Sequence, residues 1–232
     1  MNPGTSTRRL WGVGTSRTFR PHWMLAELGL SYETREIITR SEGMEAADFR
    51  ALSQRGKIPL YEDGDLMIGE SAAIVLFLAD RYRGDGNDEG DGSRSLAPEP
   101  GTDDRARHDE LCFFIMTEMD SPLYLIRRHA GLPEVYGESP VAVQAAKDYF
   151  LRSSTEIERR LSDGRAFLMG QDFTVADLLL KTCLAWAGFV QIPLPDLLTA
   201  YSASLGERPA YASAMRKNFT AAALAALDRS TE

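Results

Sequence analysis

The sequence predicts an α+β domain over residues 1–83 and an all-helical domain over residues 103–232, joined by a flexible acidic linker at 84–102. Three observations predict this. Between Gly56 and Ser71, two short apolar runs flank Asp63-Gly64, the signal of a β-hairpin, and lead directly into a helix-forming stretch. Residues 84–93 are almost entirely glycine and acid, with nothing to bury. From Asp103 onward helical patterns take over and clear strand signals stop.

Taken in order, residues 9–13 form a first strand, and Gly12 and Gly14 open a tight turn. The helix that follows carries Phe19, Trp23 and Met24 at i, i+4 and i+5, and Gly29 stands where a helix C′ glycine belongs. Pro21 is tolerated only in a first turn, which places the helix start close to Thr18. Residues 32–38 suit a second strand, with Glu33, Arg35 and Glu36 implying one solvated face, and residues 46–52 a short helix. Pro59 stands directly before the first hairpin strand, where it removes no ladder hydrogen bond. Ser71 is the expected N-cap of the next helix, and the orphan amides behind it form a site for an anion.

In the second half, Leu111-Cys112-Phe113-Phe114-Ile115-Met116 is apolar on nearly every face, so its helix is expected to be covered on most sides. Residues 141–161 give a long, polar-faced helix. Thr174 is the N-cap of another: Asp177 at N3 returns a bond to the cap amide, and Phe173 with Leu178 completes a hydrophobic staple. That makes Asp177 structural rather than a catalytic acid. Pro193 and Pro195 end this helix.

Composition narrows the function. The 232 residues are 44% hydrophobic and 26% charged, ordinary for a soluble globular protein. A net charge of −8 without a Lys/Arg-rich run argues against a nucleic-acid partner. No apolar stretch approaches a membrane span, and Arg8-Arg9 is followed by no apolar signal region. Cys112 and Cys183 have no metal-ligand spacing and are expected to be reduced thiols. Asp85, Asn87 and Gly90 echo a calcium loop, but its twelfth position is Leu96 where a bidentate Glu is needed, so no metal is expected. His108 and His129 are assigned surface or packing roles.

Lys57-Ile58-Pro59, followed by the hairpin and then Glu70-Ser71, resembles the glutathione-binding half of the glutathione S-transferases. The element order β-α-β-α-β-β-α resembles that half's thioredoxin-like layout. In the second half, the Thr174–Asp177 box and Arg208-Pro209-Ala210-Tyr211 resemble the family's usual devices. The resemblance implies an α+β N-terminal thioredoxin-like domain followed by an all-α helical C-terminal domain. It also implies a cis Ile58-Pro59 bond and a binding segment at Lys57, Ile58 and Pro59. The Ile58 backbone would pair with the cysteinyl backbone of glutathione, Glu70 with its γ-glutamyl amine, and Ser71 with its γ-glutamyl carboxylate. An open backbone edge accepts a peptide as a strand would.

The same resemblance puts the sulfur-activating group on the first strand-to-helix turn. Counted back from Gly29, it falls on Thr15; Ser16 is the near alternative, with capping as its expected role, and Arg17 adds positive potential. Cysteine-type relatives carry their thiol where this chain has Arg17, and tyrosine-type relatives need a tyrosine that this turn lacks. Phe113, Met116 and Tyr124 either line the electrophile pocket or belong to the core. Two departures concern the subclass: Ser53-Gln54-Arg55 replaces the frequent Asn-Pro before Gly-Lys, and Arg17 replaces an asparagine. The implied activity is conjugation of the glutathione thiolate to small apolar electrophiles, with glutathione as co-substrate, in a cytoplasmic homodimer. Disulfide or peroxide reduction, isomerisation, and a non-catalytic binding module of the same fold are the alternatives.

Overall fold

The computed structural model describes residues 8–83 and 95–228. The calcium-loop echo and most of the expected linker lie outside them. The chain divides into two compact units, and residues from 208 onward belong with the first.

In the first unit, β1 (Arg9–Val13), β2 (Glu33–Ile38), β3 (Leu60–Asp63) and β4 (Leu66–Gly69) form one mixed sheet ordered β2-β1-β3-β4. β1 runs parallel to β2 and antiparallel to β3, and β3–β4 is the expected hairpin, closed so that Leu60 faces Gly69. Leu10 and Val13 of β1 are both fully buried although three residues apart, and the β1–β2 register shifts between Trp11 and Val13.

Four helices complete this half: α1 (Ser16–Glu27), α2 (Glu42–Glu45), α3 (Ala47–Leu52) and α4 (Ser71–Arg81). The short helix expected at 46–52 is α3, and α2 precedes it as a further turn, set apart at Ala46, whose ψ of 137° is extended. α1 starts at Ser16, two residues before the position its proline suggested, so Pro21 lies inside the helix. Trp23, Met24 and Leu25 are fully buried along α1, and that burial offsets the lost backbone bond.

α11 (Pro209–Asn218) and α12 (Ala221–Asp228) return to this unit, although the sequence suggested that one helical domain runs to the end. The docking is aromatic. Tyr211 meets Phe19 and Trp23 edge-on, with centroids 5.0 and 4.9 Å apart. Arg208 donates to both oxygens of Glu27 at 2.6 and 2.7 Å, a bidentate clasp.

The second unit holds α5 (Asp103–Phe114), a π-helical turn at Ile115–Asp120, α6 (Ser121–His129), α7 (Pro133–Tyr136), α8 (Pro140–Leu161), α9 (Val175–Phe189) and α10 (Asp196–Gly206). Leu96 and Ala97, expected in the linker, are buried, and Leu96 O accepts from Val175 N at 2.9 Å. The run at 111–116 is less covered than its composition suggested: Leu111, Cys112 and Ile115 are buried, but Phe113 is 65% exposed. His108 is buried beside Cys112, a packing role. No helix among the described residues is long and apolar enough to cross a membrane.

Candidate functional site

Two segments of the first unit, the Ile58 loop and the start of α1, converge on Gly12. The β1–β3 ladder stops at the pair Trp11–Leu60, so the Ile58 backbone lies outside it. The Ile58–Pro59 bond is cis, as expected. A Cβ placed on Gly12 would stand 2.7 Å from Ile58 Cβ and 2.9 Å from Thr18 Cγ2, so only glycine lets this loop meet the start of α1. The φ of Gly12, +113°, makes the same demand. On the other side, a Cβ on Gly69 would lie 3.9 Å from Pro59 O, which sets the Ile58–Pro59 loop beside Glu70 and Ser71.

The residues that broke the family pattern hold this loop. Ser53 is buried, accepting from Lys57 N at 3.0 Å and lying 3.1 Å from Lys57 O. It brackets the Lys57 backbone while the lysine side chain stays in solvent. Arg55 donates to Glu70 at 3.0 Å in a pair exposed on both sides.

Glu70, not Ser71, is the N-cap of α4, and it makes no side-chain cap bond. Its φ of +67° puts a non-glycine residue in the left-handed region, at a cost of roughly 1–2 kcal/mol. That backbone turn leaves the Glu70 carboxylate in solvent and Ser71 at the first helical position. Ser71 is 4% exposed and accepts from Arg20 Nη1 at 3.1 Å. Arg20 is itself fully buried, a cation beneath the start of α4. Sequence periodicity missed Arg20, because a charged residue in a helix is assigned to solvent by default.

On the first turn, the capping role expected of Ser16 falls to Thr15. Thr15 is the N-cap of α1 and Ser16 the first helical residue. Thr15 Oγ1 accepts from Thr18 N at 3.0 Å, and Thr15 N donates to Thr18 Oγ1 at 2.9 Å. Thr15, Ser16 and Arg17 are all half-buried, and the two hydroxyl oxygens of Thr15 and Thr18 lie 3.0 Å apart.

His22 supports the turn from within. It is fully buried, and burial lowers its pKa to about 4, so the ring is neutral near pH 7. Nε2 lies 3.2 Å from Gly12 O, which only accepts, so Nε2 carries the proton. Nδ1 therefore accepts from Tyr32 Oη at 2.8 Å.

The residues named for an electrophile pocket lie in the second unit. Phe113 is exposed, Met116 is half-buried in the π-helical turn, and Tyr124 is half-buried with Arg128 over its ring at 4.5 Å. None of the three is in the fully buried core. The cleft of about 500 Å³ lined by Leu25, Tyr32, Pro209 and Lys217 includes none of the expected site residues. Among the described residues no three His, Cys, Asp or Glu side chains gather as metal ligands do.

Residues 16–81 match the family described as glutathione S-transferase, N-terminal domain. A solved glutathione transferase from Methylococcus capsulatus superimposes with a TM-score of 0.74 at 27% identity, covering 91% of this chain and 98% of that one. The chain has the glutathione S-transferase fold. Its likeness to glutathione S-transferase 1 of Schizosaccharomyces pombe, 28% identical over 173 residues, spans 72% of this chain and 69% of that protein. A theta class glutathione S-transferase from Xanthomonas axonopodis pv. citri, solved with glutathione bound, shares the fold with a TM-score of 0.72 at 23% identity, covering 93% of this chain and 99% of that one. These likenesses support membership of the transferase family. The matched segment contains Ser16, Arg17, the Ile58–Pro59 loop and Glu70–Ser71, and stops one residue short of Thr15.

Proposed function

We propose that this chain is a glutathione transferase that joins the glutathione thiolate to small apolar electrophiles. One observation carries the reading: an unpaired backbone edge at Ile58, a polar helix start at Glu70–Ser71 and a half-buried hydroxyl at Thr15 converge in one unit. The cysteinyl backbone of glutathione pairs with Ile58. Its γ-glutamyl carboxylate takes Ser71 and the amides of α4, with the Arg20 cation beneath, and its amine takes Glu70. Lys57 and Pro59 frame the same segment. The sulfur then lies by the start of α1, where the Thr15 hydroxyl donates to it and Arg17 and the helix amides favour its anion.

Lowering a thiol pKa from about 8.5 to about 6.5 needs roughly 2.7 kcal/mol and raises the thiolate share at neutral pH about 25-fold. Nucleophilicity falls with pKa, so the net gain is only about threefold. Most of the acceleration therefore comes from holding the electrophile beside the sulfur. We place the enzyme in the cytoplasm as a homodimer.

A second reading has its own observation. Thr15 Oγ1 already serves as the N-cap of α1, so the fold could keep this threonine in a binding module with no turnover. Calorimetry with glutathione, paired with conjugation of an activated chloroarene, separates the two. The proposal expects saturable binding that Ser71→Ala weakens about tenfold, the size of one charge-assisted bond, together with measurable turnover. Binding without turnover selects the module; no binding ends both readings.

A further inference from the structure

We infer that Asn218 is a positioning residue for the sulfur-activating hydroxyl, an inference that rests on the function proposed above. Asn218 ends α11 and is fully buried. It meets the first turn three times: Gly14 N donates to Asn218 O at 2.9 Å, Asn218 Nδ2 donates to Thr15 O at 3.2 Å, and Thr18 Oγ1 lies 2.7 Å from Asn218 Oδ1. Chemistry fixes the orientation of the amide. Thr15 O has no proton to give, so the nitrogen faces it and Oδ1 faces Thr18. Oδ1 then takes the Thr18 proton. Thr18 Oγ1 also lies 2.9 Å from Thr15 O, but one proton serves one acceptor, and Oδ1 would otherwise be buried without a donor.

The consequence falls on Thr15. Its Oγ1 accepts from Thr18 N, and the Thr18 hydroxyl proton is held by Asn218. The Thr15 proton is left with the Thr18 oxygen, 3.0 Å away, or a ligand atom placed at the turn. Asn218 thus fixes both the backbone of Thr15 and the polarity of its neighbour. The chain behind it adds a stop: a Cβ on Gly14 would come within 3.0 Å of Ala223 Cβ in α12. A side chain 203 residues from Thr15, outside the matched segment 16–81, sets where the hydroxyl stands. It does not touch Ile58, Glu70 or Ser71 through any of these bonds, so it bears on activation of the sulfur rather than capture of the tripeptide.

The test is a double-mutant cycle on the full chain, read by ultraviolet titration of bound glutathione, with S-methylglutathione affinity as the control for capture. Asn218→Ala is expected to lower the thiolate share, read below the midpoint, about fivefold, the size of one ordinary hydrogen bond. S-methylglutathione affinity is expected to stay within about twofold, since capture keeps its contacts. In a Thr15→Ala background, Asn218→Ala is expected to change the titration no further, because its effect runs through Thr15. Asn218→Ser, which leaves a hydroxyl for the partners that alanine would leave unpaired, carries the same test if the alanine variant does not fold. An unchanged titration in Asn218→Ala, or an equal shift with and without Thr15, overturns the inference while leaving the proposed function standing. Failure of the wild type to bind S-methylglutathione, or of Thr15→Ala to shift the titration, overturns the site reading and the inference with it.

Discussion

At the start of α1, Thr15 forms a capping box with Thr18; at the start of α9, Thr174 forms one with Asp177. The local device is the same, and the surroundings differ. Asp177 is fully buried and accepts from Thr174 N at 2.7 Å, Thr174 Oγ1 at 2.9 Å, Leu168 N at 2.8 Å and the hydroxyl of Tyr201. The Thr174 proton is consumed by a buried carboxylate. Thr15 faces a hydroxyl instead of a carboxylate, and it is half-buried. A cap can serve as a donor to a ligand only when its partner leaves it a proton, and that separates the functional turn from the structural one.

The sharpest way to break this comparison is to remove the carboxylate. Asp177→Ala leaves several buried donors unpaired and is expected to cost about 3 kcal/mol or more, against about 1 kcal/mol for Thr174→Ala. Urea denaturation reads both. Equal costs for the two would mean that Asp177 is no more than a helix cap.

The next effect depends on pH and belongs to the α1 side. His22 has its pKa lowered to about 4 by burial, below the usual 6.5, so the unfolded chain binds its proton more readily than the folded one. The contribution is fully present above about pH 6.5 and is lost as pH falls toward 4, up to roughly 3 kcal/mol. Stability measured between pH 7 and pH 4.5 should fall more steeply in the wild type than in His22→Asn. Parallel curves would show that His22 does not titrate in the way its burial implies.

Thr15→Ala should have a small effect on stability, about 1 kcal/mol for a lost N-cap, the same as Thr174→Ala. A melting midpoint unchanged by this substitution would mean that the Thr15 cap contributes nothing to the fold.

Most of the fold was legible in the sequence because its signals are local. The Asp63-Gly64 turn, the strand at 9–13 and the Thr174–Asp177 box each lie within a few residues, and each stands where its pattern put it. The failures have physical causes. α1 begins at Ser16 because Thr15 caps it from outside, and the burial of Trp23 and its neighbours carries Pro21 inside the helix. Glu70 takes the cap position in place of Ser71 with a φ of +67°, a backbone state that no propensity records. Arg20, Ser53, His22 and Asn218 act through partners far along the chain, at Ser71, Lys57, Gly12 and Thr15. Nothing in their immediate sequence marks them. The electrophile residues rest on family position, and exposure alone does not distinguish them as a pocket.

The measurement closest to the central claim is the ultraviolet titration of the glutathione thiol bound to the wild type, Thr15→Ala and Ser16→Ala. The account predicts a bound thiol well below its ordinary pKa near 8.5, raised toward that value in Thr15→Ala and left in place in Ser16→Ala, with S-methylglutathione affinity nearly constant throughout. A larger shift in Ser16→Ala would move the assignment by one residue. No shift in either variant would contradict it, leaving Arg17 and the helix amides as the source of activation.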